Sequence, residues 1–147
     1  MISTLDIVWT TRPRELGRTE RRYLDFVIDG VPLSSRFNVD FISPFGWFDA
    51  DEQEASISRL LGKSPPDVPN GRTTLYICPE CGELGCGAVT VLVQREAGVV
   101  IWKDFGFEND YENVVHTDGF SDIGPFTFDA IQYNELFERI KTLSHSN

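Results

Sequence analysis

The stretch AVTVLVQREAGVVIWKDFGF, residues 88–107, decides how this chain folds. Val89, Val91 and Val93 alternate with Thr90, Leu92 and Gln94, the period-two pattern of a strand buried on one face and partly on the other. A second β-branched and aromatic run starts at Val99, after a break at 96–98 that contains Gly98. Two such runs around a short glycine-containing break predict an antiparallel hairpin. An antiparallel sheet is therefore the expected frame, and neighbouring segments are read by whether they add to it.

On the N-terminal side, TTLYIC (73–78) and LDIVWT (5–10) read as strands. In RTERRYLDFVIDGVPLSSRF (18–37), Asp29-Gly30 separates two extended runs and suits a tight hairpin turn. Leu24, Phe26 and Ile28 should point inward, with Tyr23, Asp25 and Val27 on the opposite face. Pro32 suggests that the second arm lies at an edge or starts late. Two segments follow the helical period instead. Over 49–61, Asp49 caps, Glu52 stands at capping-box spacing, Ala55, Ile57, Leu60 and Leu61 recur, and Gly62 stops the run. Over 129–143, Asp129 caps, Gln132 completes the box, and Ile131, Leu136, Phe137, Ile140 and Leu143 recur. PFGWFDA (44–50) and PFTFDA (125–130) echo each other just before these helices. We read the echo as a shared way of entering a helix, aromatic anchor first and Asp cap second. KSPPDVPNGR (63–72) and residues 108–124 are expected to be loops. The expectation is one α+β domain over residues 1–147, a mostly antiparallel sheet of about six strands with two main helices packed on it.

Composition narrows the function classes. A chain of 147 residues with 41% hydrophobic content buries a core without staples. Its formal charge is -10, and the charge is uneven: residues 1–36 are nearly balanced, whereas the remainder is strongly acidic. Such a surface disfavours direct nucleic-acid binding, which rests on Lys and Arg. It would instead attract a basic protein. The arginines of RPRELGRTERR (12–22) are diluted by Glu15 and Glu20 and read as an exposed mixed-charge connection. No apolar run approaches the ~20 residues a bilayer helix needs, so no membrane association is expected. The first fifteen residues lack a basic segment followed by an apolar one. Together with three cysteines, an odd number, this predicts a reducing cytoplasmic setting rather than a disulfide framework. There is no G-x-S-x-G, phosphate-binding glycine loop or dinucleotide fingerprint, and nothing predicts an enzyme.

All three cysteines lie in LYICPECGELGCGAVTV (75–91), spaced C-x2-C-x4-C. Three readings stand open. Cys78, Cys81 and Cys86 could hold one structural zinc, with His116 as the fourth ligand, since Cys3His is an accepted set. They could form a redox pair, although the segment runs into a strand and lacks the helix N-terminus that activates such thiols. Or they pack inward as small hydrophobes. A second candidate site spans 103–126, where acids alternate with Phe105, Phe107, Tyr111, Phe120 and Phe126. Rings supply contact area and acids supply steering, which is what a binder of a basic protein needs. The expected contact residues are Asp104, Glu108, Asp110, Tyr111, Glu112, Asp118 and Asp122. His116 beside Asp118 and Asp122 is read as a solvated loop histidine, not a general base.

Cys78-Pro79-Glu80-Cys81-Gly82 and Gly85-Cys86-Gly87-Ala88-Val89 spell CPxCGxxGCGA, followed by VVIWKDFGFENDYE and GPFTFDAIQY. Over roughly 75–135 the chain resembles a family of small uncharacterised bacterial proteins through this motif. In size, charge and lack of catalytic motifs it is also similar to immunity proteins of bacterial, including contact-dependent, toxin systems. That resemblance implies an inhibitor that binds and neutralises a basic, nuclease-like toxin domain. The cysteine cluster implies the other function, a zinc-binding or thiol-redox protein.

Overall fold

The computed structural model describes residues 1–145. Its strands are β1 (Leu5–Arg12), β2 (Arg21–Ile28), β3 (Val31–Pro32), β4 (Thr73–Ile77), β5 (Ala88–Glu96), β6 (Val99–Glu108) and β7 (Phe126–Asp129); its helices are α1 (Ala50–Leu60) and α2 (Ala130–His145). The class is α+β, as expected, but the strands divide into two antiparallel sheets, β1-β2-β3 and β4-β5-β6-β7, instead of one. Single bridges join their edges to the rest of the fold, Ser3 to Phe128 and Ile42 to Ile77.

The hairpin expected over residues 88–107 is present, with Glu96 paired to Val99. A bulge interrupts it: Thr90 pairs with Gly106 and Leu92 with Lys103, leaving Asp104 at φ 55. The Asp29-Gly30 turn also forms, both residues having positive φ as a tight turn of this kind requires. β2 departs from the expected alternation. Tyr23, Leu24, Asp25, Phe26 and Ile28 are all buried, because β2 is the central strand of its sheet and is covered on both faces.

Both helices start where the Asp caps place them. Asp49 accepts from the N–H groups of Asp51 and Glu52, and Asp129 from that of Gln132. Gln132 turns its side chain away from the box, to the carbonyl of Leu5. Ile131 does not join the buried face of α2, being 71% exposed; Tyr133, Leu136, Phe137 and Ile140 form that face. The shared helix entry differs in one respect. In the second copy the aromatic approach is itself a strand, β7, paired with β6.

The core is aromatic. Phe26 meets Trp102 edge-to-face at 5.3 Å, and Trp102 meets Phe128 at 5.1 Å, each such pair adding about 0.5–1.5 kcal/mol beyond burial. Tyr133 accepts from the Trp102 indole and donates to the Leu60 carbonyl, tying α2, β6 and the end of α1 together. Among the described residues no helix is long and apolar enough to cross a membrane.

Candidate functional site

The pairing of β4 with β5 builds the site. Ile77 lies opposite Ala88, so residues 78–87 leave and re-enter the sheet at one point. Cys78 is the first residue out, and Cys86, in a short 3-10 turn, is nearly the last before the chain returns. Cys81 is folded back between them by a turn in which the Gly82 N–H donates to the Cys78 carbonyl at 2.9 Å. Gly82 has φ +69 and lies against the Phe48 ring, where a Cβ would collide, so this turn depends on glycine. The three sulfurs consequently all lie within 4.8 Å of one another. Cys81 and Cys86 are joined as a disulfide and Cys78 is a free, partly buried thiol. Cys86 is exposed. Inward packing as small hydrophobes does not describe this cluster, and neither does a chain without a disulfide.

Sheet β1-β2-β3 holds the turn from below. The Arg21 guanidinium donates to the Pro79 carbonyl at 2.9 Å while stacking over Trp47. The Glu80 carboxylate, between the first two cysteines, accepts from the Thr19 N–H at 2.8 Å. That hydrogen bond leads the causes that hold the carboxyl below its usual range. Arg12 binds both oxygens of Asp40, donates to the Thr19 carbonyl and lies 3.5 Å from Glu80. Arg18 joins Glu15 and Asp40. The arginine segment is largely exposed and mixed in charge, as expected, but it is also a fastening. Arg12 is buried, its pKa raised chiefly by Asp40, and the segment fastens the cysteine turn to the first sheet.

His116 is not brought to the cysteines. Its backbone pairs with that of Phe107, and its ring Nε2 lies 3.3 Å from Glu112. Among the described residues, the group of potential metal ligands at the turn is Cys78, Cys81 and Cys86 alone.

The acidic candidates are spread over several environments. Glu108 is buried: its carboxylate accepts from Thr90 at 2.5 Å and Asn70 at 3.0 Å and pairs with Arg72 at 3.2 Å, so it faces inward instead of toward a partner. Asp104 is exposed at the β6 bulge. Asp118 and Asp122 are exposed beside buried Phe120 and Ile123. Phe105, Phe120 and Phe126 belong to the core, and Phe107 packs on Phe41. Asp110, Tyr111 and Glu112 remain together on the surface, with Tyr111 75% exposed. Asn109 fastens their loop by bonding the Glu112 N–H and side chain, and the hydrogen bond from Asn109 holds the Glu112 carboxyl below its usual range. Asp110 reaches the cysteine turn, its Oδ1 lying 3.5 Å from where a Gly85 Cβ would stand.

A further polar centre lies in the core. Asp25 accepts from Ser34 at 2.5 Å and from the Tyr76 hydroxyl. Burial raises its pKa against the lowering effect of those donors. The signal was visible in YLDFVI, one carboxylate inside an otherwise apolar strand.

The chain was compared with family models, curated proteins and solved structures. It matches none of them.

Proposed function

We propose that the protein binds a metal ion, zinc by the chemistry of its donors, through the thiolates of Cys78, Cys81 and Cys86 in the reduced state. The observation that carries this reading is the convergence of three sulfurs within 4.8 Å at the base of one strand pair. Zinc takes four ligands with Zn–S near ~2.3 Å, and three sulfurs on a tetrahedron of that size lie ~3.8 Å apart. Sulfurs already within 4.8 Å of one another reach that spacing once Cys81 and Cys86 separate. Soft thiolates select zinc or copper(I) over magnesium or calcium. Protein groups supply three positions, and the fourth falls to water or to a ligand from a partner. The donor set differs from the expected Cys3His set, since among the described residues His116 does not converge with the three sulfurs.

The test is elemental analysis of protein reduced and purified without chelator. One equivalent of zinc is expected. Cys86→Ser, at an exposed position, should lose it while the protein stays folded by circular dichroism. Wild-type protein without zinc would remove the proposal.

A second reading keeps the inhibitor of a basic toxin domain, acting in the cytoplasm. It is favoured by one observation, the exposed Tyr111 between exposed Asp110 and Glu112 on a loop fastened by Asn109. An aromatic anchor flanked by acids suits an arginine- or lysine-rich partner. Tight one-to-one binding to a basic toxin domain, weakened by salt and by Asp110→Lys with Glu112→Lys, is the expected result; binding indifferent to both would exclude this surface.

A further inference from the structure

We propose that the cysteine turn is a peroxide-responsive metal switch: hydroperoxide oxidation joins Cys81 to Cys86 and expels the zinc, leaving Cys78 as the remaining thiol. The inference rests on the metal-binding reading above and assigns that site its regulation.

Three features of the turn point to it. The same three sulfurs serve both states, because all lie within 4.8 Å of one another while two of them are joined. Conversion therefore needs rearrangement within residues 78–87 and no encounter between distant parts of the chain. The exposure is asymmetric: Cys86 is open to solvent, with exposed Gly85 before it offering no side chain as cover, whereas Cys78 is partly buried. An oxidant from solvent meets Cys86 before Cys78, since oxidation follows thiolate character and access. Finally, the turn is fastened at Pro79 and Glu80 to the first sheet. The Cys78–Cys81 arm is thus anchored, and Cys86 arrives on the other arm.

The chemistry balances with a hydroperoxide as the oxidant. The Cys86 thiolate attacks the distal peroxide oxygen; an S–O bond forms, the O–O bond breaks and an alkoxide or hydroxide leaves, taking a proton. Sulfur loses two electrons and the peroxide gains them. The Cys81 thiolate then attacks the Cys86 sulfur. The S–S bond forms, the S–O bond breaks and hydroxide leaves, protonated to water. Two of three thiolate donors are gone, and one thiolate does not hold zinc, so the ion departs. A dithiol reverses the sequence by exchange at the disulfide, becoming oxidised to its own disulfide as both thiolates are restored.

The experiment treats the reduced, zinc-loaded full chain with hydrogen peroxide. Released zinc is followed with a chelating dye, free thiols are counted, and the disulfide is located by peptide mass mapping. The expected result is one zinc released for two thiols lost, a Cys81–Cys86 product and a free Cys78, all reversed by dithiothreitol. Cys78→Ser should still yield the Cys81–Cys86 pair, a readout independent of metal. A reduced protein that takes up no zinc overturns the metal reading. A loaded protein that keeps its zinc after the pair has formed, or whose pair involves Cys78, overturns the switch alone.

Discussion

Asp25 shows how one side chain sets a pH dependence for the whole chain. It is fully buried beside Ser34 and Tyr76, and desolvation raises its pKa above the ordinary 3.8. The folded molecule therefore holds this proton to a higher pH than the unfolded chain does. Stability associated with Asp25 is present below the ordinary value and is lost as pH rises through the folded one. Asp40 works in the opposite direction: Arg12 lowers its pKa, and the stability it contributes is lost as pH falls. Asp25→Asn removes the first effect and leaves the second. Thermal melts should show the melting temperature of the variant rising relative to wild type between pH 4 and pH 7, whatever the constant offset from the altered hydrogen bonds. An offset that does not change with pH would mean that Asp25 is ionised throughout. Residue by residue, the sequence was legible where chemistry is local. The Asp49 and Asp129 caps and the Asp29-Gly30 turn each answer to neighbours within a few positions. Glu108 and His116 were not, because their partners come from Arg72, Thr90 and Phe107, which pairing of strands brings close.

At the level of the element, the cysteine turn has the character of a short loop supported from outside itself. Its own sequence supplies the thiols and the glycine bend, but on the β1–β2 arm Arg21 holds the Pro79 carbonyl and the Thr19 N–H holds the Glu80 carboxylate. Outer contacts of this kind orient metal ligands, and their removal commonly weakens affinity by roughly 10-fold or more. Arg21→Ala should accordingly weaken zinc binding in a competition titration by about that factor while the count of titratable thiols stays the same. Unchanged affinity would show that the turn orders itself. The motif C-x2-C-x4-C announced the thiols, and the strand-like TTLYIC and AVTVLV runs located them between two strands. What the spacing could not announce was the support, since Thr19 and Glu80 are 61 positions apart. The β6 bulge was hidden for a similar reason: it is a relation between two strands, set by Thr90 and Leu92 pairing with Gly106 and Lys103.

For the molecule as a whole, the period-two and helical patterns specified the class and left the grouping of strands open. Alternation identifies which face of a strand is buried, but a strand such as β2, covered on both faces, gives no such contrast between neighbours. The rings of residues 103–126 were expected to serve a surface, and the fold uses most of them inside. Phe105, Phe120 and Phe126 complete the core that Trp102 and Phe128 begin, leaving Tyr111 as the exposed ring of the acidic segment. With those rings withdrawn, the group of potential metal ligands among the described residues is the cysteine turn, and the proposed function requires its three thiolates to act as one donor set. Cobalt(II) titration of the reduced protein under anaerobic conditions tests that most directly. An intense thiolate-to-cobalt band with tetrahedral visible transitions is expected, saturating at one equivalent and displaced by zinc. Weak octahedral absorption, or no spectral change on adding cobalt, would contradict it.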